Sequence, residues 1–351
     1  MTSPRERVLT ALKRNGTPDR TPFEISWGAF TPLLMKTYRE KTGSKLPPEE
    51  YFDFDTRSVF PGPTRLKTDF TRFFPDGVEP EASFDEWGIG SVPTLYEIPD
   101  FKYHPLGTAT TVAEIDAYPW PDFDAPYRYE GVRTQVATFH NRGYAVCGEM
   151  YQTLFETAWL MRDMQAFLMD MMLNEELTHA ICERVGQARQ YALAGVDILR
   201  LGDDIVSQQG LMFSKELYNT YFKPRIKRIV AAAKEVNPDI IIFMHSCGKI
   251  EGMIDELIDA GVEVLNPVQP ECNDQQAIKR TYGDRLSFWG GVGVQSVLPH
   301  GTPDEVRAAT RKTIATLGPE NGFLVAPAHI LDPAIPWENI EAFIETVKEQ
   351  R

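Results

Sequence analysis

From about residue 140 onward the chain alternates, six times over, a short apolar run with a longer amphipathic one, and no other feature limits its fold so tightly. YAVCGEM is followed by helical periodicity through AICERVGQARQYALAG, and VDILRLGDD by SKELYNTYFKPRIKRIVAAAKEV. DIIIFMHSCG leads into IEGMIDELIDAG, VEVLNPVQ into DQQAIKRTYG, LSFWGGVG into TPDEVRAATRKTIATLG, and GFLVAPAH into PWENIEAFIETVKEQ. Runs that are apolar on both faces belong to parallel strands covered by helices. Six β/α units here leave two for the first third, where TPFEISW is a candidate first strand. Eight such units close into a (β/α)8 TIM barrel. An open doubly wound sheet would carry a G-x-G-x-x-G turn, which the chain lacks. The expectation is an α/β chain forming one barrel domain over residues 1–351, since no linker, repeat or low-complexity segment divides it.

The stretch from about residue 30 to 140 has another texture. PPEEYFDFD, FPGPTR, FTRFFPDG and FDEWGIG are aromatic, proline-rich and irregular, and such a stretch in a compact domain usually covers something. It reads as a lid and pocket wall, with Trp27, Phe30, Tyr51, Phe54 and Trp87 as lining or as the packing of a loop-rich layer.

Charge narrows the partners. A formal net charge of −14 argues against nucleic acid or an anionic membrane surface as the main partner, since both need a concentrated basic face. No apolar run is long enough for a membrane span, and MTSPRERVLTALKRNG reads as a charged amphipathic helix rather than a signal peptide. The cysteines, Cys147, Cys182, Cys247 and Cys272, are scattered without a disulfide-framework spacing, which fits a reducing compartment and a cytoplasmic location.

A barrel of this kind gathers its chemistry at the C-terminal ends of its strands. Glu149 and Tyr151 follow one apolar run, Asp203 and Asp204 the next, His245 and Cys247 the third, Asn266 and Gln269 the fourth, Gly290-Gly291 the fifth and His329 the last. An imidazole and a thiolate two residues apart suit zinc better than other common metals. His329 would complete the three protein ligands of a catalytic zinc, leaving one position open. Glu149 or Asp203 could complete the shell or orient a ligand. The plain alternative is a buried His and Cys that only pack.

These residues also carry a resemblance. The segments RERVLTALKRNGTPDRTPF, GDDIVSQQGLMFSKELYNTYFKPRIKRIV, HSCGKI, NPVQ, FWGGVGVQSVLPHGTPDEV and VAPAHI followed by PWENI are similar to the uroporphyrinogen decarboxylase superfamily. More narrowly, the chain resembles the branch that holds zinc-dependent, cobalamin-linked methyltransferases. The resemblance implies a single barrel and an H-x-C pair with a third ligand near the C-terminus, often Cys, where this chain has His329. It departs from the decarboxylase itself: after the first strand the Arg-Gln-A-G-Arg motif that meets tetrapyrrole carboxylates is replaced by FEISWGAF, which has no arginine.

The expected function is therefore zinc-dependent methyl transfer between a small substrate, a methoxylated aromatic or a thiol, and a corrinoid (cobalamin). The chain lacks D-x-H-x-x-G, with Phe243 where the Asp would stand, so the corrinoid is expected on a partner protein. Glu149, Asp203 and Asp204 are the candidate proton donors, and Trp27, Tyr151 and Gln269 the candidate substrate contacts. By strand alternation one of Asp203 and Asp204 faces the mouth and the other the loop. Uroporphyrinogen decarboxylation and a non-catalytic metabolite-binding barrel are the alternatives.

Overall fold

A computed structural model describes residues 2–25, 30–94, 99–184 and 194–350. Ten strands are present among them: β1 (Thr56–Val59), β2 (Ser83–Phe84), β3 (Gly90–Val92), β4 (Asp100–Tyr103), β5 (Ala145–Met150), β6 (Ile198–Gly202), β7 (Ile241–His245), β8 (Val264–Asn266), β9 (Ser287–Val292) and β10 (Phe323–Pro327). Seven of them form one parallel sheet in the order β1-β5-β6-β7-β8-β9-β10. β2, β3 and β4 form a small antiparallel sheet within the irregular first third. The six apolar runs are the strands β5 to β10, and helices such as Lys223–Val236, Pro303–Leu317 and Trp337–Lys348 follow them.

The first third corrects the expectation. Of TPFEISW, the described residues 21–25 contribute a single parallel bridge, Phe23 to Val325, rather than a strand. Glu24 N–H donates to Val325 O, Val325 N–H to Pro22 O, and Asp55 N–H to Phe23 O, so this segment ties β10 towards β1. The sheet edge next to β5 is TRSV, which the sequence did not mark out as a strand. Among the described residues the parallel sheet thus has seven strands where eight were expected. Of the aromatics expected to line a pocket, Phe54 is buried edge-on to Phe23 at 5.6 Å, and Tyr51 is exposed and packs on Phe52. Phe30 bridges Leu331.

Alternation along the strands sorts side chains into two cores. Ala145 and Cys147, Ile198, Ile241 and Phe243, Val264, Trp289, and Leu324 and Ala326 share an inner cluster. Val146, Leu199 and Leu201, Ile242 and Met244, Leu265, and Phe323 and Val325 face the surrounding helices. Helix Pro4–Lys13 seals the inner cluster at the strands' N-terminal ends with Val8 and Leu12. That helix starts sharply because Ser3 and Glu6 cap one another and Pro4 occupies its first turn. Arg7 and Arg20 then converge on the buried Asp55, which also accepts from Phe23 N–H, so part of the RERVLTALKRNGTPDRTPF motif is architectural. No helix among the described residues is long and apolar enough to cross a membrane.

Candidate metal centre

The inward phase of β7, set by Ile241 and Phe243, puts His245 at the strand's end on the inner side, and two further residues bring Cys247 to the same side. The chain can turn there only because residue 248 is glycine: its φ is +100°, and a Cβ would lie 2.6 Å from Ser207 O. His329 follows Pro327, the last residue of β10, and Ala328 N–H donates to Val292 O at 2.7 Å, fixing the exit from the strand. In sheet order β10 stands three places from β7, which in a flat sheet would be ~14 Å. One ligand atom each from His245, Cys247 and His329 nevertheless lie within 4.8 Å of one another. The sheet is therefore strongly curled, and the curl assembles the group.

Its orientation is set from behind. Asn266, paired with His245 in the β7/β8 register, donates from Nδ2 to Trp289 O at 2.9 Å, so its Oδ1 faces His245 Nδ1. Nδ1 must carry the proton in that contact, which leaves Nε2 with its lone pair 3.4 Å from Cys247 Sγ. Burial pushes the Cys247 thiol well above its usual range, and Asp204 and Glu156 push the same way. Burial, with His245 beside it, holds His329 below the ordinary imidazole value and hence neutral. Two imidazoles and a thiol that needs a nearby cation to ionise are a donor set that fits a zinc ion.

The acids divide. Gly202 ends β6 facing inward, so Asp203 turns outward and Asp204 inward. Asp203 accepts from Leu154 N–H at 2.9 Å and Glu156 N–H at 3.0 Å, capping helix Phe155–Arg162. Burial raises its carboxyl to about 7 against the pull of those amides. Asp204 lies 3.7 Å from His245 Nε2 and accepts from Cys247 N–H at 2.6 Å. Glu156, which the sequence did not single out, accepts from Asp204 N–H at 3.1 Å, and burial beside Asp204 raises its carboxyl strongly. It sits in the first turn of a helix, away from any strand end, so only tertiary contact reveals it.

A cavity of about 400 Å³ opens on this group, walled by Asp204, Gln208, Cys247, Gln269, Gln295 and His329 among others. Gln269 accepts from Gly248 N–H at 3.3 Å. Glu149 and Tyr151 are not in its wall; they line a second chamber. Gly290 does not make room for a ligand, because a Cβ there would meet Pro267 O at 2.8 Å; its lack of a side chain serves packing. Trp27 lies outside the described residues.

Residues 86–350 match the uroporphyrinogen decarboxylase (URO-D) family model. The chain belongs to the URO-D family. The methylcobamide:CoM methyltransferase MtaA of Methanosarcina barkeri is 24% identical over 161 residues, 46% of this chain and 44% of that protein. A methylated-thiol–coenzyme M methyltransferase of Methanosarcina mazei is 27% identical over 167 residues, 47% of this chain and 41% of its own. The chain thus matches less than half the length of these curated relatives. A solved methyltransferase structure from Methanosarcina mazei superposes with a TM-score of 0.70 at 16% identity, covering 99% of both chains. This URO-D chain accordingly shares that fold over its whole length.

Proposed function

We propose that this URO-D family chain is a zinc-dependent methyltransferase that moves a methyl group between a small substrate, a methoxylated aromatic or a thiol, and a corrinoid carried by a partner protein. The observation that carries the proposal is the convergence of His245, Cys247 and His329 beside an open cavity. The methyltransferase names of the relatives support the reaction class. Those three residues would hold the ion, which when bound supplies Lewis acidity to a thiol or to an ether oxygen. Asn266 keeps His245 in the tautomer that presents Nε2. Asp204, on the cavity wall, is placed to take the proton of a thiol or give one to a departing oxygen. Gln269, with its oxygen held by Gly248, orients what enters. A cavity of about 400 Å³ is the size of a small-molecule site, so a corrinoid would stay outside it on its own carrier.

A tetrapyrrole polycarboxylate fits poorly, because the described residues that line this cavity include no Lys or Arg. The test is metal analysis together with the cob(I)alamin to methylcobalamin spectral change, over a panel of methyl ethers and thiols. About one zinc per chain is expected, with Cys247→Ala and His245→Ala each lowering occupancy by at least ~10-fold, the effect of changes even behind the ligands. Unchanged zinc in both variants, or coproporphyrinogen formed at a useful rate after zinc removal, would overturn the proposal.

A further inference from the structure

The second chamber, about 490 Å³, is walled by Phe60, Trp87, Phe123 and Tyr151 together with Arg128 and Glu149. Its aromatic rings come in two pairs: Trp87 and Phe123 with centroids 4.4 Å apart, and Phe60 and Tyr151 at 6.0 Å. Phe60 and Tyr151 are left about half and two-fifths exposed, at 51% and 39%.

Two buried polar atoms on this wall have no hydrogen-bond partner, Arg128 Nη1 and Glu149 Oε2. The rest of each group is engaged. Arg128 gives Nη2 to both oxygens of Glu86, at 2.7 and 2.8 Å, and Nε to Gly62 O at 2.9 Å. Glu149 Oε1 accepts from Ser58 Oγ at 2.5 Å and from Arg200 Nη1 at 3.0 Å. A buried donor or acceptor left without a partner is costly to the fold, so a pair on one cavity wall points to a ligand that answers them.

The charge of the chamber says which ligand. Arg128 is its one Lys or Arg among the described lining residues, and Glu86 already neutralises it; Glu149 adds acid, not base. The metal-side cavity has no Lys or Arg either and carries Asp204 and Asp332. A sulfonate or carboxylate would enter both without a counter-charge. Four rings favour a flat apolar body instead.

We propose that this chamber binds the ring of an uncharged aromatic ether or phenol, with Arg128 and Glu149 meeting a ring oxygen other than the ether oxygen offered to the metal side. The inference deepens the methyltransferase reading and rests on it for the reaction, choosing the aromatic substrate over an anionic thiol, but the binding site stands on the chamber alone. Burial pushes the Glu149 carboxyl upward against the pull of Arg200, and a phenol hydroxyl, which can accept from Arg128 Nη1 and donate to Glu149 Oε2, is a group able to answer both atoms. The chamber and the metal group are neighbours: β5 ends at the chamber, β7 at the metal, and the two strands flank β6.

The experiment is calorimetric titration of the metal-free wild-type protein with 2-methoxyphenol, and with benzoate and 2-mercaptoethanesulfonate as anionic probes. We expect 2-methoxyphenol to bind, both anions to bind at least 10-fold more weakly, and Phe60→Ala and Phe123→Ala each to weaken 2-methoxyphenol by about 10-fold, the scale of one aromatic contact. Phe60 is exposed, so its variant will fold even if Phe123→Ala does not. Cys247→Ala should bind 2-methoxyphenol as wild type does. No binding of 2-methoxyphenol, equal or tighter binding of either anion, or affinity unchanged in both ring variants would overturn the proposal. Binding that follows this pattern without any methyl transfer would leave the chamber standing and remove the proposed reaction instead.

Discussion

The interior of the curled sheet and its rim use similar polar residues to opposite ends. In the interior Arg200 is wholly buried between Glu24 at 2.9 Å and Glu149 at 3.0 Å, and lies 4.4 Å from the Trp289 ring. Glu24 in turn accepts from Trp289 Nε1 at 2.9 Å and Thr56 Oγ1 at 2.6 Å. Here charge meets opposite charge, and the group is complete but for one oxygen of Glu149 and the Nε of Arg200. At the rim, by contrast, two imidazoles, a thiol and the Asp204 carboxylate crowd together with no Lys or Arg among the described cavity-lining residues. A buried polar group that answers itself is structure; one whose donors converge and lack a counter-ion is where a ligand belongs.

The largest effect that would sharpen this contrast is at Arg200. Arg200→Met strands Glu24 and Glu149 without their cation and should destabilise the fold by about 3–5 kcal/mol in urea unfolding. A loss under about 1 kcal/mol would mean that the interior group is as dispensable to the fold as the rim. Next comes Asp204→Asn, which should cost turnover about 10²-fold while leaving the urea midpoint and zinc content near wild type. If stability fell and rate did not, Asp204 would belong with the interior group.

The smallest effect concerns Asp203, which stands between the two. Its carboxyl is raised to about 7 in the folded protein against an unfolded value near 4, so between those limits the folded state binds the extra proton. Stability should therefore fall as pH rises from about 4 to about 7 and level off above. Asp203→Asn should flatten that slope, read from unfolding midpoints at several pH values. A slope unchanged in the variant would assign the pH dependence elsewhere.

Strands β5 to β10 were legible because each is an apolar run of β-formers, and a fully buried parallel strand needs no subtler signal. β1 was not: its sequence TRSV is short and three of its four residues are polar, each hidden only because a partner meets it in the interior or wall. The bridge at Phe23 was read as a strand because hydrophobicity marks burial, and one hydrogen-bonded pair buries as well as five. At the site, His245, Cys247 and His329 could be named from strand-end position alone, whereas Glu149 and Tyr151 share that position and face another chamber. Strand ends are given by sequence; which neighbour a side chain meets around a curved sheet is not. Glu156 and the role of Asn266 depended on that second kind of fact.

Helix Pro4–Lys13 has a consequence for how the chain folds in time. Ser287 Oγ donates to Leu12 O across 275 residues, Gly322 N–H donates to Ala11 O, and Val8 and Leu12 share the inner cluster with Leu324 and Ala326. The helix near one end of the sequence therefore finds its seat only when the last strand near the other end is in place. Loop closure over such a span is slow and must precede the burial that rewards it. During synthesis the amphipathic helix and the half-formed sheet would wait with their apolar faces open, a stage at which a chain of this kind is most exposed to aggregation.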